Sequence, residues 1–133
     1  TIAQPHAAVA SILGTTKCIR IERLRSHADS MLLAEEIWLP YDRFAGIETM
    51  PEPEFGPLLY PLYLDRFGVF IASAVDEVSF APAPAVIATR LGIATDTPVA
   101  VIERTAFTAD GTAVEWRIAH GSSDRFRYRS RLG

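Results

Sequence analysis

The chain's most informative chemistry is a pair of arginines that alternation should turn inward. Arg23 and Arg25 end the run TKCIRIERLR, residues 16–25, in which Ile19 and Ile21 precede them at the same spacing of two. Alternate side chains of a strand share one face, so the arginines extend an apolar stripe toward the interior. A guanidinium placed there needs a carboxylate or a bound anion, because an unpaired buried charge is costly. Its planar fork suits carboxylate and phosphate, which it can grip by two oxygens at once. Ala100, Ile102, Arg104 and Ala106 repeat the stripe within PVAVIERTAFT, residues 98–108. Glu35 shares parity with Leu33, Ile37 and Leu39 in MLLAEEIWL, residues 31–39. Two readings stand open at this point: internal Arg–Glu pairing, and a pocket whose arginines hold an anionic ligand while glutamates hold its hydroxyl or amino groups.

The remaining reactive residue types point elsewhere. Cys18 has no adjacent histidine and reads as a small core residue. As the single cysteine it excludes an intrachain disulfide and a cysteine-rich zinc site. His6 and His27 lack metal-ligand spacing, while His120 lies closer to the candidate pocket. Trp38 and Trp116 read as core or dimer-face residues first and as ligand-stacking groups second. Arg125, Arg127, Arg129 and Arg131 form a stripe on an expected strand at 125–132, read as its solvated face. No cofactor or metal is expected.

The elements that position these residues come in two similar sets. Ile21-Glu22-Arg23, four residues, then Ala28-Asp29 recurs as Ile102-Glu103-Arg104, four residues, then Ala109-Asp110. Leu13-Gly14 and Leu91-Gly92 precede the two copies, and an acidic residue follows each turn: Glu35 or Glu36, and Glu115. Asp42-Arg43-Phe44 recurs as Asp124-Arg125-Phe126. Each copy reads as helix, glycine and hairpin, and two such copies would join their hairpins into one antiparallel sheet with helices on one side. Helices are predicted at 5–13, 57–67 and 83–91, with Pro61 tolerated only in a first turn. Strands are predicted at 16–25, 31–39, 69–80, 98–108, 112–120 and 125–132, with a two-residue hairpin at Asp110-Gly111. Residues 41–46 read as a helical turn and 47–56 as a loop.

Composition sets the outer limits. The 133 residues, 49% of them apolar and 22% charged, match one globular domain and not a disordered chain. A net charge of −3 excludes nucleic-acid binding by bulk charge. No apolar run approaches the ~20 residues of a membrane span, so a cytoplasmic protein without a membrane partner is expected. The first residue is Thr1, which suggests a piece of a longer protein.

Several of these residues in order resemble one family. EEIWLP with Phe44 and Gly46-Ile47, Leu59-Tyr60, Leu91-Gly92-Ile93, Ile102-Glu103-Arg104-Thr105, Asp110-Gly111, Val114-Glu115-Trp116 and Asp124-Arg125-Phe126-x-Tyr128 are similar to the UTRA domain. That is the effector-binding domain of the HutC branch of GntR-type bacterial transcription regulators. The resemblance covers about residues 7–132. It implies an α+β, chorismate-lyase-like fold: a six-stranded antiparallel sheet with helices, in two related halves. It makes residues 1–133 a ligand-binding and dimerisation domain, with a winged helix-turn-helix expected upstream and absent from this chain. Operator DNA would be met only through that absent domain.

The resemblance also implies site roles. Arg23 and Arg25 match an arginine pair on the first strand, Glu35 and Glu115 the two acidic positions, and Tyr60 the tyrosine at the start of the central helix. Trp116 and His120 are added as wall residues. Leu58 replaces a serine that helps bind sugar phosphates in some members, and Gly121 stands where a tyrosine is usual. The expected activity is therefore sensing of a small anionic metabolite, a carboxylate or phosphate, by a homodimer that controls DNA binding allosterically. The alternatives are a chorismate-lyase-like enzyme acting on a small carboxylate and a pure dimerisation module.

Overall fold

A computed structural model describes all residues except 28–30, 127–128 and 132–133. The elements run β1 (Ile2–Ala3), α1 (Ala7–Leu13), β2 (Cys18–His27), β3 (Met31–Pro40), α2 (Tyr41–Phe44), α3 (Leu59–Phe67), β4 (Ser73–Pro82), α4 (Ala85–Leu91), β5 (Pro98–Phe107) and β6 (Ala113–Ser122). Short 3-10 turns occupy Ile47–Thr49, Glu52–Phe55 and Ser123–Arg125. All six strands form one antiparallel sheet in the order β1-β2-β3-β6-β5-β4.

This order makes the duplication physical. Each half is strand, helix and hairpin: β1-α1-β2-β3, then β4-α4-β5-β6. The halves meet at the sheet centre, where β3 pairs with β6 from Leu33↔Gly121 to Trp38↔Trp116. The two Asp-Arg-Phe triplets land at matching places, α2 directly after β3 and the Ser123–Arg125 turn directly after β6. α1 and α4 both end on a left-handed glycine, Gly14 and Gly92, whose N–H satisfies a free helix carbonyl.

Helices cover both faces, not one. On the first face, Ile19, Ile21, Ile37 and Leu39 pack against Phe44, Ile47, Phe55, Leu59 and Tyr63, so α2, α3 and two 3-10 turns close this core. On the second, Cys18, Trp38 and Trp116 pack against Val9 and Leu13 of α1, while Ala34, Val99 and Val101 pack against α4. The two tryptophans and Cys18 are thus core residues, and burial pushes the Cys18 thiol upward, away from nucleophilic character.

Three expected boundaries change. Among the described residues of 125–132 there is no strand: Arg125 closes a 3-10 turn, and 126 and 129–131 are irregular. Residues 127–128 and 132 of that expectation, Arg127 among them, lie outside the described residues. The sixth strand is β1 instead, two residues too short to show alternation. The expected strand at 69–80 starts later, at Ser73, because Val69 is buried under α3's exit. The Asp110-Gly111 turn is also longer than two residues. Thr108 N–H bonds to Thr112 O at 3.0 Å, and Asp110 Oδ1 accepts from Thr112 N–H at 3.1 Å, leaving a three-residue loop with Gly111 at φ 83°.

Leu39 is fully buried where α2 and α3 meet the sheet. Leu39→Ala should cost about 2–5 kcal/mol in urea denaturation, whereas Val86→Ala, on an exposed helix face, should stay within about 0.5 kcal/mol of wild type.

Candidate functional site

Register sets the site. Arg23 lies opposite Glu35, Ile37 opposite Arg117, Arg104 opposite Arg117, and Asp76 opposite Arg104. Cross-strand neighbours share a face, so these charges form a row across the sheet on the α3 side. Ile19, Ile21, Ile37 and Leu39 carry that face into the core, and the charges begin where the apolar cover of α3 ends.

At the centre is Glu115, fully buried. Tyr60 and Tyr63, one helical turn apart on α3, donate to its two oxygens at 3.0 and 2.6 Å. Arg117 donates to the same oxygens through Nε at 2.8 Å and Nη2 at 2.7 Å. Arg117 also reaches Glu35 through Nη1 at 3.3 Å. Burial by itself would lower the Arg117 pKa, but the hydrogen bonds and charge of Glu115 hold it above its usual value. Burial and the Glu115 charge push the Tyr63 hydroxyl well above its ordinary range. Both tyrosines are therefore hydrogen-bond donors and not bases.

Arg104 forms a second paired unit. It grips Asp76 through Nε at 2.7 Å and Nη2 at 3.0 Å, and touches the Tyr60 hydroxyl at 3.4 Å. Those hydrogen bonds hold the Asp76 carboxyl below its usual range. Arg25 is loosely held, with Nη1 at 3.5 Å from Glu35. Arg23 differs from all of these. It is 6% exposed, and its Nη1 is buried with no hydrogen-bond partner among the described residues. Desolvation lowers its pKa, Glu35 opposes that, and Arg25 and Arg117 reinforce it. A buried donor without an acceptor is rare in native proteins and calls for an explanation.

Two adjoining cavities open here, and Arg25 lines both. One, of about 420 Å³, lies between Arg23, Arg25 and the 3-10 turn at Glu52–Phe55. The other lies between Arg25, Arg104, Arg117 and residues 58–61. That segment is the start of α3, whose N-cap Leu58 offers no side-chain acceptor to the first helical N–H groups. Free N–H groups and four guanidiniums favour an anion in this space.

Of the expected site residues, Arg23, Arg25, Glu35, Tyr60 and Glu115 share this one face. Trp116 and His120 do not, because beyond the irregularity at Val114 the even-numbered positions of β6 point the other way. Trp116 packs beside Leu13 of α1 with the His6 ring 6.3 Å away, and His120 lies opposite Ala34 and Val101 on the α4 side. Burial lowers the His120 pKa there. Sequence reasoning missed Arg117, Tyr63 and Asp76. Arg117 was legible from its parity with Glu115, and Tyr63 from its spacing with Tyr60. Nothing local marks Asp76, which enters only through the β4–β5 register.

Comparison with known proteins places this arrangement among relatives. A family model described as "UTRA domain" matches residues 1–127. The HTH-type transcriptional regulator Rv0792c of Mycobacterium tuberculosis is 29% identical over 125 residues, which are 90% of this chain and 45% of that protein. The chain thus spans a little under half the length of this curated relative. The effector domain of PhnF from Mycobacterium smegmatis superposes with a TM-score of 0.84 at 21% identity, over 100% of this chain and 82% of that one. A GntR-family transcriptional regulator from Enterococcus faecalis gives 0.84 at 19% identity, over 99% and 95%. These structural likenesses establish the fold.

Two substitutions should shift stability in opposite directions. Glu115→Gln leaves Arg117 with Glu35, at 3.3 Å, as its one remaining carboxylate among the described residues and should cost about 3 kcal/mol. Arg23→Met removes a buried donor that has no acceptor and should raise apo stability by about 1 kcal/mol. Urea denaturation of both variants beside wild type measures the difference.

Proposed function

The chain belongs to the UTRA domain family, and on that premise we propose that it is the effector-sensing domain of a GntR-type transcription regulator of the HutC branch. The site beside α3 holds a small anionic metabolite, with Arg23 and Arg25 as the clamp. The observation that carries this reading is the unpartnered, buried Nη1 of Arg23, a residue that lines the larger of the two cavities described. Glu35 and Glu115 serve mainly to hold Arg25, Arg117 and the two tyrosines in place, since their oxygens are already engaged by those groups.

Binding would act through α3. Its N-terminus borders the cavity and its tyrosines anchor it to the sheet, so an anion there favours one seating of α3 over another. That preference is passed to a DNA-binding domain upstream, which meets the operator. The domain is read as a homodimer. β4 is exposed along nearly its whole length at the outer edge of the sheet, with Val75, Val78 and Phe80 exposed. Long apolar edges are normally covered in native proteins. Among the described residues no helix is long and apolar enough to cross a membrane.

The direct test is a thermal-shift panel of small anions, followed by calorimetry of the strongest binder. Arg25→Ala should leave the melting temperature of the free protein within a degree or two, because its contact with the buried Glu35 is long and Glu35 keeps Arg117 as a partner. It should weaken anion binding by about ten- to a hundredfold. Unchanged affinity in the variant removes the site. Light scattering at high micromolar concentration should give a dimer, and a monomer there overturns the dimer reading.

A further inference from the structure

Resting on the reading of this cavity as an anion site, we propose that its ligand is an amphipathic monoanion: one carboxylate on an apolar body. Charge sets the head. Four guanidiniums, Arg23, Arg25, Arg104 and Arg117, face three carboxylates, Glu35, Glu115 and Asp76, through the contacts described above. Among the described residues Arg23 is left without a hydrogen-bonded carboxylate, its Nη1 free and buried, and of the carboxylates only the longer-range charges of Glu35 and Glu52 act on it. Glu52 stands at the mouth of the same cavity and repels a second negative charge. A single carboxylate satisfies this balance, whereas a phosphate monoester or dicarboxylate overloads it.

The walls set the body. Among the residues lining the two cavities, Tyr60 is the sole uncharged hydrogen-bonding side chain, and its hydroxyl already donates to Glu115 at 3.0 Å. Pro53, Pro57 and Pro61 stand along the wall and have no backbone N–H to offer. Leu58 adds an apolar side chain that is 64% exposed beside the guanidiniums. A sugar or other polyhydroxyl body would leave the hydroxyls on its proline and Leu58 side unpaired. An alkyl or aryl body loses nothing there and buries Leu58. Both cavities meet at Arg25, so one ligand can place its head at Arg23 and Arg25 and its body along Leu58 and Pro61.

Calorimetry on this chain with acetate, octanoate, phenylacetate, succinate, inorganic phosphate and glucose 6-phosphate tests the assignment. Octanoate and phenylacetate should bind at least tenfold more tightly than acetate, since each buried methylene is worth about fourfold. They should likewise exceed succinate, phosphate and glucose 6-phosphate by tenfold or more. Leu58→Ser should cut octanoate affinity about tenfold and leave acetate unchanged, a split that general unfolding would not produce. Tighter binding of glucose 6-phosphate or succinate than of octanoate overturns the ligand class. If that binding is lost in Arg25→Ala, the anion site itself stands. Equal affinity for acetate and octanoate also overturns the class. Binding of every anion that is indifferent to Arg25→Ala, or no binding at all, overturns the site and the class together.

Discussion

The buried carboxylate of Glu115 is the contact on which the site depends. It has no exposure to water, so its charge must be met inside the protein. Four donors meet it: two hydroxyls from α3 and two guanidinium nitrogens of Arg117. This places a helix of one segment and a strand of another in fixed relation, across more than fifty residues of sequence. Because every oxygen position is engaged, Glu115 is a positioning group. Arg117, held by Glu115 and Glu35 at once, ties the central strands β3 and β6 together on the face where the cavities open.

The duplication gives the site its asymmetry. Arg23 and Arg104 occupy matching places in the two halves, yet their surroundings differ. Arg104 has Asp76 on the neighbouring strand and is fully paired. Arg23 lies opposite Glu35, but Glu35 is shared between Arg117 and Arg25. One copy of the repeat thus supplies a closed ion pair and the other an open guanidinium. The two copies of the repeat stop being equivalent here, and the difference lies in which carboxylates are already taken.

Exposure follows the same division. The β2–β3 half of the first face lies under α2, α3 and the 3-10 turns, and its apolar residues are buried. Among the described residues the β4 edge has no such helical cover, so Val78 and Phe80 on that face are exposed, with the Phe126 ring 5.9 Å from that of Phe80. The sheet therefore presents an arginine-rich region near its middle and an apolar edge beyond it, each held by the same strands.

Much of this was fixed by local pattern. Alternation in residues 16–25, 31–39 and 98–108 determined which residues share a face, because side chains of a strand must alternate whatever the sheet order. It put Arg23, Arg25 and Glu35 together, and glycines after Leu13 and Leu91 marked where helices end. The repeat determined that the halves would match. Tertiary structure decided the rest. β1 is too short for a period-two signal and exists because β2 offers it an edge. Trp116 and His120 left the site because β6 parity, set by Glu115, turns them to α1 and α4. The pairing of Arg104 with Asp76 depends on a register between strands far apart in sequence. Whether Arg23 found an internal partner could not be read from parity, since it depended on how three arginines divide two glutamates, and that division is made only when α3 and the central strands come together.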